Sequence, residues 1–276
     1  MNAPLQCWVD GSATTRVPID DRGLAYGDGL FETVLVRRGV ARFLELHLDR
    51  LALGCQRLGI RFDAMAALRQ EISRAVDLAP PLAILKIIVT RGSATRRGYA
   101  SDGAERPRRL LTLWATEPLA AQAREGVDLE FSSMVLGEQP ALAGIKHLNR
   151  LEQVLAASAP RAPGVFDVLL SDAAGDVIGG SMTNVFAVTA GRLLTPRVDR
   201  AGVAGVLRAV VRRECAALGL DCEERPLSAG QLLASDEAFV TNARIGVVPV
   251  RRVGEHRFSM NGVARRVQAH VEALDA

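Results

Sequence analysis

Residues 143–158 read AGIKHLNRLEQVLAAS, and the lysine at position 146 decides how the rest is read. The chain has 34 basic residues, yet lysine stands only at Lys86 and Lys146; every other one is arginine. Arginine serves wherever a cation faces water or a carboxylate, but its guanidinium does not give up its proton. An amine can lose its proton and attack a carbonyl, so a chain that keeps lysine at two places points to a nucleophile at one of them. Lys146 precedes LNRLEQVLAAS, where Leu148, Leu151, Val154 and Leu155 are spaced as one helix face. Lys86 lies inside the apolar run ILKIIVTRG (84–92), where an outward-facing strand position explains it.

Upstream of this stretch, CWVDG (7–11), FETVLVRRG (31–39) and VARFLEL (40–46) read as short strands, with Gly11 and Arg38-Gly39 as turns. The spacing of Leu48, Leu51, Cys55 and Leu58 predicts a helix ending at Gly59, and a second over 62–76 with Asp63 as N-cap. Strands are expected at 84–92 and 108–116, separated by the loop SATRRGYASDGAERP, which is too long for a hairpin turn. EPLAAQAREG (117–126) reads as a crossing segment. This gives a smaller N-terminal domain over 1–117, a connection over 118–125, and a larger domain over 126–276 carrying Lys146. The second half predicts strands at 127–135, 166–172, 183–191, near 222–227 and over 237–250. It also predicts a helix from Val206 to Gly219 and a final helix over 263–274 capped by Asn261. Mixed strands and helices mean an α/β or α+β chain.

Composition narrows the function. A formal charge of +3 with arginines and acids interspersed argues against a nucleic-acid footprint and leaves small, anionic ligands. Cys7, Cys55, Cys215 and Cys222 show no metal-like pairing with the four histidines, so no zinc site or disulfide framework is expected and a reducing cytoplasm fits best. The opening MNAPLQCWVDG does not read as a signal peptide, and no uncharged run approaches the ~18 residues of a membrane span.

A lysine that forms an imine needs a phosphate clamp for its cofactor, built from a fixed cation and the free N–H groups of a helix start. Arg50 and the helix opening at Gly205-Val206-Leu207 offer both. In DDRGLAYGDGLFET, Asp28 between Gly27 and Gly29 reads as a structural turn followed by Glu32. His47 and His147 have no metal partner at helical spacing and read as packing or hydrogen-bonding residues.

Taken in order, AYGDGLFET, Arg50, IKHLNRLEQVLA, GGSMTNVF, AGVAGVLR and FVTNA resemble the fold-type-IV, or class IV, pyridoxal-phosphate enzymes over nearly the whole chain. That family holds branched-chain aminotransferases, D-amino-acid transaminases and 4-amino-4-deoxychorismate lyases, and the IKHLNRLEQVL block is similar to the lyase branch. The resemblance implies two domains with pyridoxal 5'-phosphate between them and a homodimer acting on a small molecule. It also implies elimination of 4-amino-4-deoxychorismate to 4-aminobenzoate and pyruvate, a step in folate biosynthesis. Lys146 matches the Schiff-base lysine, Arg50 the phosphate-binding arginine, and Val206, Leu207 and the Thr241-Asn242-Ala243 turn the rest of the phosphate cup. Tyr99 matches an aromatic residue that reaches the lyase site, and Arg97 and Arg91 are candidates for substrate carboxylates. The family's glutamate, five residues before the asparagine of its motif, falls at Gly179 here. Its loss weakens the alternative of an aminotransferase acting on D-amino or branched-chain substrates; a non-catalytic cofactor-binding dimer is the other alternative.

Overall fold

The β-branched and leucine-rich runs of the N-terminal half form an antiparallel sheet with two unlike faces. The computed structural model describes residues 3–94, 96, 98–260 and 262–274. Its strands are β1 (Gln6–Val9), β2 (Ser12–Ala13), β3 (Gly29–Arg37), β4 (Val40–Ala41), β5 (Leu82–Thr90) and β6 (Arg108–Ala115), in the order β2-β1-β6-β5-β3-β4. In β5 the odd positions Ala83, Leu85, Ile87 and Val89 are fully buried, whereas Ile84, Lys86 and Ile88 are half-buried. That period of two is the signature of a sheet covered on one side.

A short helix α1 (Arg22–Tyr26) precedes β3, and α2 (Leu44–Leu58) and α3 (Met65–Asp77) follow β4. Leu48, Leu51 and Cys55 of α2 and Leu68, Ile72 and Ala75 of α3 are buried, and the helices pack on β3 and β6 respectively. Each large side chain buried this way contributes about 1.5–3 kcal/mol before entropy is counted. Gly59 ends α2 in the left-handed conformation at φ 64°, as its sequence position requires. Two boundaries differ from expectation. The run 40–46 is not one strand, because Phe43 at φ 55° turns the chain and α2 begins at Leu44. The next helix starts at Met65 with Ala64, not Asp63, at its N-cap.

The second half contains α4 (Ala121–Glu125), β7 (Val127–Val135), α5 (Leu151–Ser158), β8 (Val165–Ser171), β9 (Val177–Gly180), β10 (Asn184–Thr189) and β11 (Arg192–Thr195). These are followed by α6 (Val206–Glu214), β12 (Cys222–Glu224), α7 (Ala229–Leu233), β13 (Glu237–Asn242), β14 (Gly246–Val253), β15 (His256–Arg257) and α8 (Val263–Ala273). A mixed sheet runs β12-β11-β10-β13-β14-β7-β8-β9, with β15 beside β14. Its core includes the stacked rings of Phe186 and Phe239, 4.8 Å apart. The stretch 237–250, expected as one strand, is a hairpin. Asn242 Oδ1 accepts from the backbone N–H groups of Arg244 and Ile245, each at 2.9 Å, and Gly246 takes φ 71°. The final helix lies where the sequence put it, while Asn261, its expected cap, is outside the described residues.

By contacts, one unit runs to Pro118 and also takes Ile145–Asn149; the other comprises Leu119–Gly144 and the chain from Arg150. Lys146, expected with the second half, therefore belongs to the first unit. The cause is backbone pairing to β3: Phe31 N–H donates to the Lys146 carbonyl at 2.9 Å and Leu148 N–H to the Gly29 carbonyl at 3.0 Å. That pairing also removes Leu148 from the helix. Leu151, Val154 and Leu155, expected to share one helix face with it, are exposed on α5.

Candidate active site

In the first unit, pairing with β3 sets Lys146 over the ring of Phe31, its Nζ 4.3 Å from the ring centre. Two residues before Phe31 stands Gly29, where a side chain could not fit, since a Cβ would meet the Val89 carbonyl and Leu148. The tight approach of 145–149 to β3 is thus built on that glycine. Lys86 is not an isolated strand lysine: its Nζ lies 5.3 Å from the same ring centre.

Glu32, next to Phe31, points to the opposite, helix-covered face and is buried. It meets two residues three apart on α2. Arg50 donates through Nε to Glu32 Oε1 at 2.8 Å and through NH2 to Oε2 at 2.5 Å, and His47 Nδ1 lies 2.6 Å from Oε2. Burial pushes the Glu32 carboxyl upward, but the Arg50 charge and the bonds from His47 and Arg50 outweigh it and hold the group below its ordinary range. Burial also lowers His47, against the pull of Glu32. A neutral imidazole donating from Nδ1 to a carboxylate has a bare Nε2, and that atom is buried without a hydrogen-bond partner. Arg50 is thereby fixed in direction with its side chain only 12% exposed. The sequence singles out Arg50 and leaves His47 as a packing or hydrogen-bonding residue; the structure gives it a hydrogen bond to Glu32, and the E-x14-H-x2-R spacing is the signal for their union.

The second unit supplies an anion cradle. Gly205 caps α6 without a side-chain hydrogen bond, which leaves the amides of Val206 and Leu207 at an uncapped helix start. Asn184, paired across the sheet with Thr241, lies against Gly205 and donates to the Val203 carbonyl at 2.9 Å. This brings the end of β13 beside the helix start. Thr241 is fully buried and its hydroxyl has no partner. Asn242 shapes the following turn, and Ala243 sits within it. Free N–H groups beside an unpartnered buried hydroxyl suit a phosphate, so the residues present fit the phosphate end of pyridoxal 5'-phosphate. Lys146, in the first unit, is by itself an amine of the kind that bonds an aldehyde.

Arg91, a candidate for substrate carboxylates, is engaged by groups of its own unit. It donates to both carboxylate oxygens of Asp28 and to the carbonyls of Gly59 and Leu58, between 2.7 and 3.0 Å. These bonds occupy four of its five donor hydrogens, which makes it a clamp on the turn. Asp28 also accepts from Arg22 at 2.9 Å; burial raises its carboxyl, and the two arginines more than reverse this. Tyr99 is 84% exposed, its ring 5.3 Å from that of Tyr26, and its carbonyl accepts from Arg22. Arg97 lies outside the described residues.

At Gly179 a Cβ would stand 2.8 Å from the Thr183 carbonyl oxygen, so the backbone itself leaves no room for the family's glutamate. The neighbouring turn is held by Asp167, which accepts from the Ser181 amide and hydroxyl and from the Thr183 hydroxyl.

Residues 29–253 match the family Amino-transferase class IV. The chain belongs to that family. Among class IV relatives, an aminodeoxychorismate lyase of Vibrio harveyi is 32% identical over 96% of this chain and 98% of its own. A D-alanine aminotransferase of Bacillus licheniformis is 28% identical over 86% and 83%. The crystal structure of 4-amino-4-deoxychorismate lyase from Pseudomonas aeruginosa superimposes with a TM-score of 0.91 at 41% identity, covering 98% of this chain and all of that one. The class IV fold, termed fold type IV, is thus shared across the chain.

Proposed function

We propose that this class IV chain is a pyridoxal-phosphate-dependent lyase that converts 4-amino-4-deoxychorismate to 4-aminobenzoate and pyruvate. The observation that carries the reading is the end-to-end similarity to the two lyases, and Lys146, one of the chain's two lysines, supplies the candidate reactive amine. Pyridoxal 5'-phosphate, when bound, offers an aldehyde to amines and draws electrons from the adjacent carbon. Lys146 is the residue that would hold it, through Nζ. In its neutral form the same Nζ would be the base for the ring proton beside the substrate's nitrogen and the acid assisting departure of the enolpyruvyl group. Arg50, fixed by Glu32 and His47, and the amides of Val206 and Leu207 with Thr241, Asn242 and Ala243 are the residues that would hold the phosphate. Tyr99, on its exposed loop, contacts the substrate.

The class IV aminotransferases provide a second reading, supported by the Bacillus licheniformis relative. One experiment separates the two: purified protein is given 4-amino-4-deoxychorismate, and both products are followed. Equal amounts of 4-aminobenzoate and pyruvate support the lyase. An amine form of the cofactor growing in on amino acid alone, with neither product formed, selects the transaminase.

The protein is further proposed to work as a cytoplasmic homodimer. None of the four cysteines forms a disulfide, and no helix among the described residues is long and apolar enough to cross a membrane.

A further inference from the structure

Lys86 is the second lysine of a chain that otherwise writes its cations as arginine. It stands mid-strand in β5, opposite Thr33 of β3 and Thr112 of β6, with Ile84 and Ile88 two residues to either side. Its neighbours Leu85 and Ile87 face the buried side, so Lys86 projects from the half-buried face that also carries Phe31. Both ammonium groups of the chain lie within 5.3 Å of the centre of that one ring.

The partners of Lys86 are as informative as its position. Among the described residues no carboxylate pairs with it; the recorded contact is the Phe31 ring, and the surrounding side chains are aliphatic or hydroxyl. A half-buried cation loses part of its hydration, and an aromatic face only partly replaces it. Such a cation, set beside the reactive amine, has the chemistry of an anion receptor. Arg91 has its donors taken up by Asp28 and two carbonyls, so the unpaired cation on this sheet face is the lysine.

We infer that Lys86 determines specificity by receiving a carboxylate of the compound whose amine is exchanged at Lys146. This rests on the lyase reading, in which both products carry a carboxylate, and it names the group that selects the substrate. Lys86 does not move protons in the reaction; it orients the molecule on Phe31.

The test uses protein loaded with pyridoxal 5'-phosphate, as wild type, Lys86→Gln and Lys86→Arg, titrated with 4-aminobenzoate, aniline and pyruvate. The wild type is expected to prefer 4-aminobenzoate over aniline by about tenfold, and Lys86→Gln to lose most of that preference. The visible absorbance of the lysine-bound cofactor stays unchanged, which shows the variant folded and loaded. Lys86→Arg recovers most of the preference, and in turnover Lys86→Gln raises KM about tenfold with kcat nearly constant. Retained preference for 4-aminobenzoate with weakened pyruvate binding assigns Lys86 to the enolpyruvyl carboxylate instead of the ring one. Unchanged affinities for both carboxylates in Lys86→Gln overturn the inference. Should the wild type form no 4-aminobenzoate or pyruvate while the variant still loses carboxylate affinity, the lyase reading falls and the role of Lys86 stands.

Discussion

Glu32 does at the scale of one residue what the two flanking α2 side chains cannot do alone: it compensates the Arg50 charge and orients His47, all within the covered face of a sheet. Removing one member of a buried ionic group leaves its partner uncompensated. Glu32→Gln is therefore expected to cost about 3 kcal/mol of stability, seen as a lower urea midpoint at unchanged slope, and to weaken cofactor binding. The acid response follows from the same group. His47 is held below the ordinary imidazole value of 6.5, so below that pH the unfolded chain takes up a proton that the folded chain refuses, and stability declines. Glu32 is held below its ordinary 4.5, so its contribution, complete above that pH, is lost as the pH falls through the folded value. Urea midpoints measured from pH 7 downward should fall in these two windows, and His47→Gln should flatten the upper one. At the position proposed as catalytic, Lys146→Ala is expected to abolish turnover and the visible imine band together; a surviving band would remove Lys146 from its proposed role.

Elements were legible where local chemistry fixes them and illegible where distant partners do. The end of α2 at Gly59 and the span of α8 follow from glycine at a C-cap and from apolar periodicity. Helix α5 shows the opposite case: Leu148 fits the helical period, yet its amide is taken by the Gly29 carbonyl, and the helix begins three residues later. Periodicity cannot reveal that competition, because Gly29 is far away in sequence. The loop after β5 depends on Gly92, whose φ is 95° and whose added Cβ would collide with the Arg106 carbonyl. Gly92→Ala should destabilise by about 3 kcal/mol. Gly98, at φ 104° with open space around it, tests steric crowding against backbone strain alone, and Gly98→Ala should cost only about 1 kcal/mol. Equal costs in denaturant titrations would mean that the Arg106 contact carries no weight.

For the whole molecule, the apolar side chains left outside the core become the informative ones. Leu151, Val154 and Leu155 stand exposed on α5, which packs on β7, where Phe131 and Val135 are exposed as well. An exposed apolar cluster of this kind marks an association surface, and two-fold pairing of identical chains is the common way to cover one. The wild type is expected to scatter light as a dimer, and Leu155→Glu to shift it toward monomer at micromolar concentration. A monomeric wild type would remove the dimer from the proposal.

The sequence by itself determined that lysine stands at only two positions, that Arg50 lies on a helix and Val206 at a helix start, and that strands and helices follow the class IV order. These are properties of residue type, spacing and local propensity, which a linear chain carries without folding. Only the tertiary structure decided that the Lys146 segment pairs with β3, that Lys86 shares its aromatic ring, that Glu32 ties His47 to Arg50, and that Arg91 is spent on Asp28. Each of these joins residues through strand pairing and burial, where strand order and the face a side chain occupies decide which charges meet.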